Sequence, residues 1–360
     1  MKRCLTPIAA ALAVLFFALS PLSASAATAP APDLPTTSSS GLSITPRKDL
    51  HITPGESITD KLTISNLDNH ASLILTLKPI DFTFTDESGT PKLFLADNAP
   101  QTAWSIKPFL KLPSALTIGP GESKTVNYTL TVPKNQGAGS FYSAIEYIAT
   151  GANGGNVSLN ASGVTLVFVT IPGAVNEKMT LQKFGAYQLD DTGTTGKFLY
   201  IATKKSPEQV AFALKNQGNV AEAPSGSISI KNMFGHTVVN IENANPTSSL
   251  ALIGQTRLFT SCLRKTTAQV NFQGTNTKTT KCDASKLPPG RYTASMDILY
   301  GQNGNTSQEI TAVATFWYLP WWFLIVVLVA ILLIAGGIWW AYRKVTNRAR
   351  RKASGRRFRR

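Results

Sequence analysis

Short runs of alternating apolar and polar residues fill the chain from residue 41 to residue 318. These runs are rich in β-branched and aromatic residues, and Gly, Pro, Asn and Asp separate them. Apolar side chains that alternate along a strand face one side of a sheet, whereas a helix needs a longer repeat. The pattern predicts an all-β region of short strands, as in β-sandwiches; clear examples are ITDKLTISNL, ASLILTLKPI, SFYSAIEYIAT, VAFALKNQG and RYTASMDILYG.

One turn sequence occurs twice, each time just before an alternating strand. Pro-Gly-Glu-Ser stands at 54–57 before ITDKLTISNL and at 120–123 before KTVNYTLTVP. Proline followed by glycine favours a tight turn, because glycine accepts the positive φ that such a turn requires. The repeat supports the prediction of strands that are joined by tight turns.

The strand pattern divides into two units, and each is long enough to bury a core of its own. The first unit covers 41–175 and the second covers 176–316. Residues 27–40 are rich in Pro, Ser and Thr and have no apolar period. This composition predicts a flexible linker ahead of the first unit.

The N-terminus has the pattern of a secretory signal peptide. Lys2 and Arg3 precede the apolar run IAAALAVLFFAL, and Ala-Ser-Ala at 24–26 fits a signal-peptidase site. The run is shorter than the ~20 residues that span a bilayer, which argues against an uncleaved anchor. Residues 1–26 are therefore predicted to be removed on export.

A second apolar run, WWFLIVVLVAILLIAGGIWWA, covers 321–341. As a helix it would be about 30 Å long at ~1.5 Å per residue, which matches the hydrocarbon core of a bilayer. We predict a transmembrane helix over 317–342, and the positive-inside rule places the basic tail 343–360 in the cytoplasm. Aromatic residues flank the run, as expected at the two headgroup levels: Trp317, Tyr318, Trp321, Trp322, Trp339, Trp340 and Tyr342.

The formal net charge of +15 comes mainly from the ends of the chain. The tail 343–360 holds ten Lys and Arg residues and no acid, so the region between leader and tail is nearly neutral. A nearly neutral body does not indicate nucleic-acid binding, and no nucleic-acid partner is expected. The tail is instead predicted to contact anionic membrane lipid.

Several strand and turn segments together resemble a known family. The first unit resembles the peptidoglycan-binding domain of the WxL-interacting proteins, which are bacterial surface proteins with Ig-like domains. The segments that carry this resemblance are GLSITP (41–46), ITPGESITDKLTISNLDNH (52–70), IDFTFTDESGTPKL (80–93), LTIGPGESKTVNYTLTVP (116–133) and GSFYSAIEYIA (139–149).

The second unit is similar to the Ig-like domain that follows in related surface proteins. The matching segments are VAFALKNQGNVAEAPSGSISIKNMFGHTV (210–238), LIGQTRLFT (252–260) and RYTASMDILYG (291–301). Residues 262–287 depart from that pattern and are predicted to be an insertion between two strands. The resemblance implies two Ig-like sandwiches and a wall-associated, extracytoplasmic role, and it leaves the ligand open.

Two cysteines, Cys262 and Cys282, remain once the leader is removed. They lie near the two ends of the predicted insertion and in a compartment that permits oxidation. We predict a disulfide between them; two separate free thiols are the alternative.

Candidate chemistry is sparse. The three histidines are scattered, the carboxylate pairs at 86–87 and 190–191 lie in predicted turns, and no metal site, cofactor or catalytic motif is indicated. We therefore expect a protein that is not an enzyme. One set of aromatic residues belongs either to the sandwich core, which alternation favours, or to a sugar-binding face: Trp104, Phe109, Phe141, Tyr142 and Tyr147.

Three functional hypotheses follow. The first is a membrane-anchored surface protein that binds cell-wall peptidoglycan or a neighbouring surface protein, with loops such as 151–155 in contact with the ligand. The second is an accessory subunit of a surface or secretion complex that pairs exposed strand edges with partner strands. The third is a carbohydrate-active enzyme, whose paired carboxylates would stand ~5–9 Å apart.

The topology is testable directly. A cleaved leader and one stop-transfer helix put residues 27–316 outside the cell and the tail inside. Protease added to intact protoplasts should digest the outer part and spare a small fragment that carries the tail. Survival of the full-length protein under that treatment would contradict this topology.

Overall fold

Two β-sandwiches followed by one long helix make up the structure, a computed structural model that confirms the predicted all-β fold with a C-terminal apolar helix. The predicted leader and linker lie outside the residues that it describes, as does most of the loop 151–155. The described residues are 41–151, 162–190, 195–272, 275–301, 303 and 305–355.

The first sandwich packs a four-stranded sheet against a six-stranded sheet. The four-stranded sheet contains β1 (Leu42–Ile44), β3 (Ser57–Asn66), β6 (Leu110–Lys111) and β8 (Ser123–Thr131). The six-stranded sheet contains β2 (Arg47–His51), β4 (Leu73–Phe84), β5 (Pro91–Phe94), β7 (Ala115–Ile118), β9 (Gly139–Gly151) and β10 (Ser162–Ile171). The strand orders are β1-β3-β8-β6 and β2-β10-β9-β4-β5, with β7 beside the first part of β4. A 3₁₀ turn at Lys107–Phe109 precedes β6.

The second sandwich packs a four-stranded sheet against a five-stranded sheet. The four-stranded sheet contains β11 (Met179–Leu189), β12 (Gly196–Leu199), β14 (Gln209–Asn216) and β17 (Thr256–Cys262). The five-stranded sheet contains β13 (Ile201–Ala202), β15 (Ser225–Asn232), β16 (Thr237–Ile241), β20 (Gly290–Tyr300) and β21 (Gln308–Tyr318). The strand orders are β12-β11-β14-β17 and β13-β21-β20-β15-β16.

Alternation along the strands fills both cores. In β3, Leu62 and Ile64 are fully buried. Lys61, which precedes them, and Thr63, which lies between them, face solvent. In β14 the five residues 210–214 are all buried, and Phe212 stacks on Phe259 of β17 with ring centroids 5.0 Å apart. These side chains form the cores that the period-two pattern predicts.

The predicted insertion 262–287 contains a two-stranded hairpin. β18 (Lys265–Phe272) pairs antiparallel with β19 (Thr275–Cys282), and these two strands form a sheet of their own. The hairpin therefore extends from the end of β17 without adding a strand to either sheet of the second sandwich.

The C-terminal helix α1 covers Trp321–Gly355, and its segment Trp321–Asn347 is long and apolar enough to cross a membrane. The predicted bounds of 317–342 differ from this helix at both ends. Trp317 and Tyr318 belong to β21, where they pair with Arg291 and Gly290 and so satisfy backbone hydrogen bonds in the sheet. At the other end the helix continues into the basic tail, because its Lys, Arg and Ala residues favour helix.

An apolar junction joins the two sandwiches. The outward face of the six-stranded sheet carries Phe82, Tyr142 and Phe168, whose ring centroids lie 5.3–6.2 Å apart. Leu252 and Ala221 of the second sandwich cover these rings, and all five side chains are buried. Burial of these apolar side chains holds the two sandwiches together.

Hydrogen bonds at the rim of the junction also connect the two sandwiches. Arg47 Nη1 donates to the carbonyl of Ser248 at 2.9 Å, and Gln255 Nε2 donates to Thr83 Oγ1 at 2.6 Å. Ser140 N donates to the carbonyl of Asn219 at 3.1 Å.

Gly139 permits the closest approach of the two backbones. Its φ is +144°, and a Cβ placed there would lie 2.8 Å from the carbonyl oxygen of Asn219. Any larger residue would push the sandwiches apart at this point. Glycine is therefore required both by the positive φ and by the close approach of the Asn219 carbonyl.

Leu252 provides a test of the junction. Leu252→Ala in the full chain should lower the free energy of unfolding by about 2–5 kcal/mol, because it opens a cavity in a fully buried contact. Urea denaturation in detergent measures this change, and Val313→Ala at a solvent-facing site on β21 is the matched control. A cost for Leu252→Ala as small as that of the control would show that the junction is not a packed interface.

Candidate functional site

A cavity of about 270 Å³ opens where the two sandwiches meet. Edge strand β2 and Phe168 form one wall, and residues after β14 and β20 form the other. Its lining is rich in polar and ionisable groups: Asp49, His51, Ser140, Glu222, Tyr300 and Asn303. Asp49 is paired with Arg47 at 2.8 Å, so its negative charge is already balanced.

Two buried carboxyl groups meet beside this cavity. Glu177 precedes β11 and Glu222 follows β14, and they are 5% and 1% exposed. The backbone N–H of Gly301 donates to Glu222 at 3.2 Å, and that of Asn303 donates to Glu177 at 2.8 Å. Burial raises the pKa of Glu222 to about 7, and the neighbouring Glu177 acts in the same direction.

Sequence reasoning did not single out this carboxyl pair. The two residues are far apart in sequence and lie in no motif, so only the contact between chain segments reveals them. The neighbouring Glu177 contributes to the raised pKa of Glu222, so the two carboxyl groups lie close together.

The predicted turn at 86–87 has a role that its sequence did not indicate. Asp86 accepts hydrogen bonds from the Ser88 hydroxyl and the Thr90 backbone, which lower its pKa to about 2. The same turn touches the second sandwich, because Leu258 N donates to the carbonyl of Glu87 at 2.7 Å. It therefore belongs to the junction as well as to the surface.

The aromatic residues considered for a sugar-binding face lie in the interior. Phe141, Tyr142 and Tyr147 are buried, and Trp104 and Phe109 pack against the core of the first sandwich. The hydroxyl of Tyr147 is bonded to Thr165 Oγ1 at 3.0 Å, which satisfies its polar end. These five side chains are thus used for packing.

Chemistry-bearing residues elsewhere do not assemble into a catalytic arrangement in the described part of the chain. Buried Asp81 accepts from Ser105 Oγ at 2.6 Å, from Ser143 Oγ at 2.9 Å and from Thr102 N at 3.0 Å. These bonds satisfy the carboxylate and fix the segment before β6. Among the described residues, no group of three or more His, Cys, Asp or Glu side chains gathers as a metal site.

The seven predicted interface aromatics lie at the base of the second sandwich and along α1. Trp317 and Tyr318 end β21, Trp321 and Trp322 begin the helix, and the remaining three follow about five turns later. Lys344 Nζ lies 4.6 Å from the ring centroid of Trp340, and Arg343 stacks on Trp339 at 5.1 Å. Such cation–π pairs place basic and aromatic groups at one level along the helix.

The helix is tied directly to the base of the sandwich. β13 runs parallel to the end of β21, and Leu319 N donates to the carbonyl of Ala202 at 2.8 Å. Trp321 N then donates to the carbonyl of Thr203 at 3.3 Å. Because Lys204 and Lys205 follow at once, two cationic side chains stand at the level where the helix begins.

Cys262 and Cys282 form a disulfide, and their Cα atoms are 5.0 Å apart. Cys262 ends β17 and Cys282 ends β19, so the bond fastens the base of the hairpin to the four-stranded sheet. Gln209 Nε2 donates to the sulfur of Cys282 at 3.1 Å. In the described structure neither strand of the hairpin pairs with a strand of the second sandwich. The disulfide therefore provides a covalent link between the hairpin and the four-stranded sheet.

Comparisons with known proteins give likenesses of fold only. No family model matches the chain, and no curated protein matches it. The class 5 fimbriae chaperone CfaA is 10% identical with a TM-score of 0.33, over 76% of this chain and 98% of that chain. The E. coli chaperone DraB is 10% identical with a TM-score of 0.31, over 76% and 98%. The Pseudomonas aeruginosa CupB2 chaperone is 6% identical with a TM-score of 0.30, over 75% and 97%.

These values are too low to carry an argument about function. Each of the three proteins is a chaperone, and that description stays with those proteins.

The disulfide can be tested by removing it. Replacing both cysteines with alanine should lower the free energy of unfolding by roughly 3 kcal/mol, since the bond closes a loop of ~20 residues in the unfolded chain. Denaturation of the purified mature protein measures this loss. Thiol labelling of the folded wild type without reductant is the direct check, and two labelled cysteines would refute the bond.

Proposed function

We propose that this chain is a membrane-anchored, extracytoplasmic accessory protein that binds a neighbouring surface protein by strand addition. The edge of β16 receives the partner strand, and α1 holds that edge close to the membrane. The observation that carries the proposal is that β16 is a five-residue edge strand without charged residues or proline. The resemblance of both units to bacterial surface proteins supports the extracytoplasmic placement.

Most edge strands of the two sandwiches are protected against pairing. β2 carries Arg47, Lys48 and Asp49, and β5 begins with Pro91 and Lys92. Charges and proline on an edge strand oppose the addition of another strand. β1, β6 and β13 have only two or three residues, so they offer little backbone to a partner.

The remaining edges differ from one another in how much backbone they leave free. β12 has four residues, two of which are Gly196 and Lys197. β17 is partly covered, because Leu258 N already bonds to the turn at Glu87. Among the described edges of five or more residues, β16 alone has neither a charged residue nor proline, and its sequence is TVVNI.

The outer edge of β16 is free in the described structure. Its residues pair with β15 on one side, and they make no other hydrogen bond to a described residue. Alternate residues of an antiparallel strand direct their N–H and C=O groups away from the neighbour, so β16 presents unpaired groups. Val238 is 37% exposed beside them and offers an apolar contact to an added strand.

The position of β16 suggests a partner near the membrane. Thr237 pairs with Lys231, Lys231 with Thr293, and Thr293 with Thr315 of β21. Thr315 is six residues before the start of α1, which corresponds to about 20 Å of extended chain. A strand at that height fits an anchored neighbour better than a polymer that begins farther out.

Peptidoglycan binding by the first sandwich is the second candidate. A ladder of hydroxyl groups on the exposed faces of β3 and β8 favours it. Ser65 and Ser123 are 2.7 Å apart, and Ser57 and Thr131 are 2.8 Å apart. Such a flat array of hydroxyl groups can hydrogen-bond a glycan, and the resemblance of the first unit implies that ligand.

Photo-crosslinking in intact cells of the source organism separates the two candidates. A photoreactive residue replaces Val238 on β16 in one variant and Thr59 on the hydroxyl ladder in the other. We expect a protein adduct at position 238, with the crosslinked site in an extended segment of the partner. Adding Asn240→Lys should reduce its yield roughly tenfold, the factor given by about 1.4 kcal/mol of lost association free energy.

The matched control is Thr129→Lys, which adds the same charge to the ladder and should leave the adduct at position 238 unchanged. If position 238 gives no protein adduct while position 59 crosslinks to wall glycan, peptidoglycan binding replaces strand addition as the function.

A further inference from the structure

The buried pair of Glu177 and Glu222 lacks a balancing positive charge. Glu177 Oε2 and Glu222 Oε1 are buried atoms without a hydrogen-bond partner among the described residues. No ion pair within the described residues includes either side chain. Because an unpaired buried carboxylate is costly, either a proton or a bound cation must stabilise this arrangement.

Both carboxyl groups converge on one segment of backbone. Gly301 N donates to Glu222 Oε2, and a Cβ on Gly301 would lie 3.6 Å from Glu177 Oε2. The carbonyl oxygen of Thr306 is 3.5 Å from that same Cβ position. Both carboxyl groups and the Thr306 carbonyl oxygen therefore lie around Gly301.

The donor set consists of oxygen atoms. Carboxylates and carbonyls are the ligands that hard divalent cations prefer, whereas zinc and softer metals favour His and Cys. Calcium accepts six to eight oxygen ligands in flexible geometry, and water supplies those that the protein does not. The cavity at the junction reaches Glu222 and gives both water and an ion a path from solvent.

We propose that Glu177 and Glu222 bind one calcium ion at the junction between the two sandwiches. Two carboxylates balance the two charges of the ion, while a single shared proton would leave one negative charge buried. The choice of calcium over magnesium follows from the irregular donor set, since magnesium demands near-octahedral geometry. The availability of calcium rests on the proposed extracytoplasmic placement, but binding itself does not.

The ion would stiffen the connection between the sandwiches. Glu177 lies in the linker that leads from β10 to β11. The loop after β20 and the start of β21 hold this linker, because Asn305 Nδ2 donates to the carbonyl of Val175 and Gln308 Nε2 to that of Glu177, both at 3.1 Å. An ion between Glu177 and Glu222 joins the linker to the segment after β14, whose Ala221 lies in the junction.

Calcium binding to the full-length protein in detergent, after removal of divalent ions, tests the proposal. Isothermal titration calorimetry with calcium chloride should show one site with a Kd of about 10⁻⁴–10⁻³ M, the range of extracellular modules. With a Kd of about 1 mM, 10 mM calcium should lower the unfolding equilibrium constant roughly elevenfold. Magnesium at the same concentration should bind more weakly.

Two variants and a control localise the site. Glu177→Gln and Glu222→Gln should each abolish the calcium-dependent stabilisation. Because both variants remove a buried charge, they should fold without the ion. Glu309→Gln removes an exposed charge nearby on β21 and should bind calcium like the wild type.

Three outcomes would overturn the inference. They are wild type that binds no calcium up to 10 mM, binding that survives in both glutamine variants, and binding lost equally in Glu309→Gln. Because purified protein is used without any partner, none of these outcomes bears on strand addition at β16.

Discussion

The contact of Phe82, Tyr142 and Phe168 with Leu252 determines how the two sandwiches act together. A sheet on the surface of a sandwich usually turns polar side chains outward, but here the outward face of β4, β9 and β10 is aromatic. Exposure of those rings to water would be unfavourable, so the second sandwich covers them. The cavity, the linker contacts and the placement of the turn at Asp86 all depend on this junction.

Polar groups that are buried at the junction also need partners there, because they lose contact with water. Arg47 and Gln255 find carbonyl or hydroxyl partners across the interface, which satisfies them as they lose water. Among the described residues, Glu177 and Glu222 each keep an unpaired buried oxygen, and Arg257, which lies over the Phe84 ring, keeps unpaired buried nitrogens. An unsatisfied group that persists in a well-packed interface points to a ligand or a proton at that place.

The edge strands differ in how well they are protected against pairing with another strand. Charge, proline and short length protect most of them, and β16 has none of these features. A protein that exposes an unprotected edge risks unspecific pairing unless a partner covers it. Through β15 and β20, β16 is in register with the part of β21 that lies six residues before α1, and this geometry connects the anchor to the proposed function.

Local patterns in the sequence were sufficient for the strands, the two units and the apolar helix. Alternation at every second residue places Leu62 and Ile64 inward without knowledge of the partner strand, and the length of the apolar run predicts a helix that can cross a bilayer. Cys262 and Cys282 were predicted as a pair because they alone remain after the leader is removed. In each case the information lies within a few neighbouring residues or in a simple count.

The tertiary structure decided what depends on residues far apart in sequence. Trp317 and Tyr318 are in β21 because Arg291 and Gly290 offer their backbone groups, so the helix starts at Trp321 and not at the predicted residue 317. The outward rings of the first sandwich, the meeting of Glu177 with Glu222 and the free edge of β16 have no local signature. These features depend on strand order or on the packing of one sandwich on the other. Strand order and packing cannot be derived from a pattern of neighbouring residues.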